Sequence, residues 1–68
     1  MDKTQTALFI KMARGDAGLN TDQFSRVIGV KSYNLSRYEH GVVMPPAVII
    51  LRIIAIYPKT ARFIPDLF

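Results

Sequence analysis

Apolar positions recur along this chain in four blocks, and three of them follow a helical period. In "TQTALFIKMAR", residues 4–14, Leu8, Phe9 and Met12 fall on one face, and Ala7, Ile10 and Ala13 broaden it. The pattern predicts a first helix there. Gly15 and Gly18 place its end between Arg14 and Ala17. Phe24, Val27 and Ile28 predict the buried side of a second helix, closed by Gly29. Its start is written in "NTDQ". Asn20 is a good N-cap, Asp22 puts negative charge in the first turn, and Gln23 stands where a capping box needs it.

The third block predicts a helix over about 32–39, with Val30, Leu35 and Tyr38 on one side and Gly41 after its end. Lys31 is a poor N-cap; Ser32 is better by type but lies one residue later. The loop "VVMPP" follows. The fourth block, "AVIILRIIAIY", opens after Pro46, which suits a first helical turn, and stops at Pro58. Its β-branched residues also fit a buried strand. Eleven residues without a turn signal are long for a strand, so helix is preferred over 47–57. "KTARFI" has room for one short turn before Pro65, and "DLF" reads as a tail. The expected fold class is all-α, with four to five short helices.

Composition sharpens this. The 68 residues hold one domain, and with no cysteine there is neither a disulfide nor a thiolate metal site. Half the residues are hydrophobic, more than so short a chain easily covers. In the fourth block only Arg52 is polar, and a helix apolar all round must be buried all round. Two arrangements satisfy that. A homodimer could form through Ile50, Ile53, Ile56, Phe63, Ile64 and Phe68, or the tail could fold back over the patch. A protein partner on this apolar segment is a further option.

The net charge of +4 points to an anionic partner, nucleic acid or membrane surface. The longest apolar run is interrupted by Arg52 and falls short of the about 20 residues that span a bilayer. The N-terminus carries acids and no long apolar run, so no secretory signal is expected. One histidine, no second ligand cluster and no base–nucleophile set argue against an enzyme, a metal site or a cofactor.

The stretch 20–41 carries the chemistry. A capped helix of two turns meets Gly29, turns within about three residues, and enters a second helix of two turns. A small residue at Ser25 lets the two helices cross closely, and Leu35 locks the second onto the first. This is helix-turn-helix logic. The outward side of the second helix shows Ser32, Tyr33, Asn34, Ser36 and Arg37 in place of the usual Lys and Glu.

"GLNTDQFSRVIGVKSYNLSRYEHGVVMP" resembles the Cro/C1-type (XRE-type) helix-turn-helix regulators. The matching positions include Gly18, Leu19, Asn20, Phe24, Ser25, Ile28, Gly29, Val30, Leu35, Ser36, Tyr38, Glu39, Gly41 and Pro45, without a gap. The resemblance implies a lambda-repressor-like domain that binds double-stranded DNA as a cytoplasmic repressor, with helix 32–39 in the major groove. It places base contacts at Ser32, Tyr33 and Arg37, and backbone contact at Asn34. Thr21, at the start of the second helix, would hold a phosphate through free N–H groups, and Lys31 and His40 flank the reading helix as further phosphate contacts. It also implies an ion pair between Arg14 and Glu39.

Three positions depart from the family pattern. The loop after Gly41 is apolar where basic residues are common, Lys31 replaces a Ser or Thr cap, and Thr21 stands where Gln is frequent. Some members of the family bind proteins instead of DNA, so an antitoxin-like or anti-repressor module is the rival function. The segment "PPAVIILRIIAIYP" is similar to the tails of small phage and mobile-element regulators, which implies an autoregulator of a short operon.

Overall fold

The computed structural model describes residues 2–67. Five α-helices follow in order: α1 Lys3–Ala17, α2 Thr21–Ile28, α3 Ser32–Glu39, α4 Ala47–Ile56 and α5 Ile64–Leu67. A 3₁₀ segment, Pro58–Phe63, joins α4 to α5. Among the described residues there is no strand, so the β-branched fourth block is helical. No helix among them is long and apolar enough to cross a membrane.

Helix α1 begins earlier than its apolar stripe suggests. Asp2 accepts from the Gln5 backbone N–H at 2.8 Å, and the Gln5 side chain accepts from the Asp2 N–H at 3.0 Å. The sequence "DKTQ" is thus a second capping box, which extends the helix beyond its apolar residues. Gly15 stays helical, and Gly18 ends α1 with φ 71°. Helix α2 starts as its sequence predicts. The Asn20 side chain accepts from the Gln23 N–H at 2.8 Å, and Gln23 returns the bond at 3.0 Å. Gly29 closes α2 at φ 74°.

The core gathers Phe9, Ile10 and Ala13 of α1, Phe24 and Ile28 of α2, Leu35 of α3, and Ile49 and Ile53 of α4. Helix α1 packs on α3 and on the C-terminal segment, and α2 packs on α3 and α4. The Phe24 and Tyr57 rings stack with centroids 6.0 Å apart. Tyr38 and Val30 lean on this core half-buried.

Three expected core residues lie outside. Leu8 and Met12 of α1 and Val27 of α2 are exposed, while Thr6, Ala7 and Ser25 are buried. The inward stripe of α1 therefore runs through residues 6, 9, 10 and 13. It is rotated from the 8, 9, 12 face because α1 has apolar residues over most of its circumference, and the packing of α3 chooses among them.

The C-terminal region differs from expectation in two ways. Residues 64–67 are helical, so the segment expected as a tail belongs partly to α5. Ile53 is fully buried within its own chain, which removes it from any dimer interface. Of the other residues expected at that interface, Ile56 is exposed, Ile50, Phe63 and Ile64 are half-buried against the core, and Phe68 lies outside the described residues.

Arg52, the lone polar residue of α4, has a structural role that its surroundings in sequence did not reveal. Its guanidinium donates to the Ile28 carbonyl at 2.7 Å, satisfying an acceptor at the end of α2. A Cβ on Gly29 would sit 3.1 Å from that same guanidinium. Gly29→Ala should therefore cost about 1–2 kcal/mol, mostly from the left-handed backbone. Urea titration checks this, and an unchanged midpoint would mean that the turn relaxes freely.

Candidate nucleic-acid interface

Helices α2 and α3 pack together in one corner. Phe24, Ile28 and Leu35 are fully buried between them, and buried Ser25 gives its hydroxyl proton to the Asp22 carbonyl at 2.8 Å. The turn is closed by the Val30 N–H, which donates to the Ser25 carbonyl at 3.0 Å. Lys31 caps α3 with backbone geometry alone; its side chain makes no capping bond. The lysine head is thereby left exposed at the foot of α3.

Buried Glu39 fixes the other end of α3. Its carboxylate accepts from Arg14 Nε at 3.0 and 3.1 Å, and Arg14 also donates to the Leu19 carbonyl at 3.2 Å. The expected ion pair is present and ties α3 to α1, while the same arginine holds the α1–α2 connection at Leu19. With both ends of α3 held, its polar side is presented as a fixed surface.

On that surface Tyr33 is 71% exposed, the most open large side chain of α3. Arg37, one turn on, places its guanidinium 5.6 Å from the Tyr33 ring centroid. A cation–π contact of this kind holds a flexible arginine in one direction at about 0.5–1 kcal/mol. Ser32, Asn34 and Ser36 are half-buried. The structure thus brings Tyr33 and Arg37 together and sets Ser32 at the N-terminal end of the same helix.

His40 is exposed, and its Nδ1 donates to the Ser36 carbonyl at 2.6 Å. A carbonyl can only accept, so Nδ1 carries the proton, and the neutral ring offers Nε2 as an acceptor. Thr21 is half-buried as the first residue of α2.

One residue of this surface escaped the sequence reading. Asp22 Oδ1 accepts from the Ser32 hydroxyl at 2.6 Å, across the turn. Asp22 read as a helix-dipole partner only, because its contact lies ten residues away and across the α2–α3 corner. An acidic residue two places into "NTDQ" was the available signal.

A separate surface is apolar. Met44, Pro45, Ala47, Ile50 and Leu51 line an open hollow of about 280 Å³. Val48 and Leu51 beside it are exposed, as is Val42 in the preceding loop. Comparison with protein-family models, curated proteins and solved structures finds no match to the chain.

Proposed function

We propose that the chain is a sequence-specific regulator of transcription that binds double-stranded DNA through α3, as its resemblance to the Cro/C1-type regulators implies. The observation that carries this reading is the anchored, polar side of α3, with exposed Tyr33 beside Arg37. Side chains of this kind match a major groove patterned with donors and acceptors. The net charge of +4 supplies the sign that phosphates require. The protein acts as a cytoplasmic repressor and binds as a homodimer. Exposed Val48, Leu51 and Ile56 supply apolar surface that a second copy covers. Two such α3 helices enter successive major grooves about 34 Å apart, so the operator is an inverted repeat.

Arg37→Ala should weaken operator binding by about 1–3 kcal/mol and relax preference at one base pair of each half-site. Lys31→Ala should weaken all sequences alike and flatten the salt dependence, because phosphate contacts carry no sequence information. Titrations on the operator and on scrambled DNA at two salt concentrations separate the two. Equal losses on both DNAs for Arg37→Ala would make it a phosphate clamp.

The apolar hollow at Met44–Leu51 favours a second reading, a protein-interaction module of the antitoxin or anti-repressor kind. DNA binding untouched by both substitutions would select it.

A further inference from the structure

The Asp22–Ser32 bond bears on what the surface of α3 can read. Serine alone is a poor discriminator, because its hydroxyl both donates and accepts. Here the Ser32 hydroxyl lies 2.6 Å from Asp22 Oδ1. A carboxylate has no proton to give, so Ser32 donates its single proton inward. The hydroxyl oxygen keeps only lone pairs for an outside partner. The Asp22 carboxylate beside it also accepts only. The Asp22–Ser32 pair is therefore an acceptor site, set beside the donors of Lys31 and of the first turn of α2.

Arg37 is its opposite. A guanidinium has five donors and no acceptor. The side of α3 is thus divided, with acceptors at its first residue and donors five residues later. The major groove divides in the same terms. Cytosine N4 and adenine N6 donate there, while guanine N7 and O6 and thymine O4 accept.

We propose that Asp22 is a specificity-determining residue: it holds the Ser32 hydroxyl as an acceptor, so that the pair selects a base with an exocyclic amino group in the major groove. Cytosine or adenine then occupies one position of each half-site, and guanine or thymine is rejected there because acceptor would face acceptor. This rests on the DNA-binding reading above. The negative charge of Asp22 has a second effect of a different kind. It repels phosphates near the start of α2, which lowers affinity for every sequence alike.

The two effects separate by substitution. A pool of duplexes with 20 randomised base pairs is selected in parallel on the wild-type protein, Asp22→Ala, Asp22→Asn and Ser32→Ala. The wild-type pool should show one position per half-site where cytosine or adenine exceeds guanine and thymine by roughly tenfold. Ser32→Ala identifies that position by losing it. Asp22→Ala releases the hydroxyl to donate or accept, so the same position flattens to within about twofold while the others keep their preferences. Asp22→Asn keeps an acceptor oxygen but adds an N–H2 donor, so the preference falls between those of the wild type and Asp22→Ala. Both Asp22 variants bind all duplexes more tightly, since both lack the charge.

Asp22 is exposed, and both variants lose little beyond a first-turn charge, so cooperative circular-dichroism melts a few degrees below the wild type are expected for both. A wild-type pool with clear preferences, all of them kept by Asp22→Ala, overturns the proposal while the DNA-binding reading stands. So does a Ser32 position occupied by guanine or thymine. A wild-type pool that enriches no sequence overturns both.

Discussion

Arg14→Ala lowers the melting temperature by about 20 °C, and Glu39→Ala lowers it by less. The order follows from burial. The Glu39 side chain is 5% exposed and the Arg14 side chain 29%. Arginine holds both carboxylate oxygens. Removing it strands a carboxylate that water barely reaches, and breaking a buried pair costs about 3–5 kcal/mol. Removing Glu39 instead leaves a guanidinium that rehydrates in part and keeps the Leu19 carbonyl, so its cost falls at or below the lower end. Total stability for a domain of this size is on the order of 3–10 kcal/mol, and each kcal/mol moves the midpoint by about 4–8 °C. The double variant should cost less than the sum of the singles, because each alone already loses the pair. Thermal melts of the three proteins check this. Melts within two degrees of wild type, or strict additivity, would show that the pair does not hold α3 in place.

Ile53→Glu and Leu51→Glu, two residues apart on α4, should behave as opposites. Ile53 is fully buried among Phe24, Ile28 and their neighbours, and Leu51 is 64% exposed. A charge at 53 has no partner in the core, and the several kcal/mol that this costs is comparable to the whole stability of the domain. The variant should show no cooperative melt. At position 51 the same charge meets water, and stability should stay within about 0.5 kcal/mol of wild type. Its effect falls on association. The wild type should sediment as a dimer at micromolar concentration and Leu51→Glu as a monomer. A folded Ile53→Glu would contradict the core, and a wild-type monomer at high concentration would remove the homodimer from the proposed function.

The candidate surface was legible to different depths. Tyr33 and Arg37 stand out because they break the usual Lys/Glu dress of a surface helix, and the structure places them side by side. Ser32 was visible as a short polar group, but not the direction in which its proton points. Asp22 decides that from across a turn. His40 was visible as a phosphate candidate flanking α3, while its bond to the Ser36 carbonyl, which makes the neutral ring an acceptor at Nε2, is a matter of ring orientation. Ile53 and Leu51 are alike in sequence, and nothing local distinguishes the core residue from the exposed one.

Local chemistry needed no tertiary information. The Asn20–Gln23 box, the left-handed Gly18 and Gly29, and the proline boundaries of α4 involve partners within a few residues. Such contacts have nearly the same geometry wherever the helix ends up, so residue type suffices to specify them. The Arg14–Glu39 pair spans 25 residues, and it was legible only through resemblance to a family with that pair. Rotation of α1 and α4 about their axes is another matter. Both carry apolar residues on most sides, so many rotations bury similar area, and the one adopted depends on which ridges of α2, α3 and the 3₁₀ segment they meet. The same holds for Arg52, whose position 24 residues from the Ile28 carbonyl becomes a cap only when α4 lies against α2. Contacts at that separation are set by the packing of whole helices.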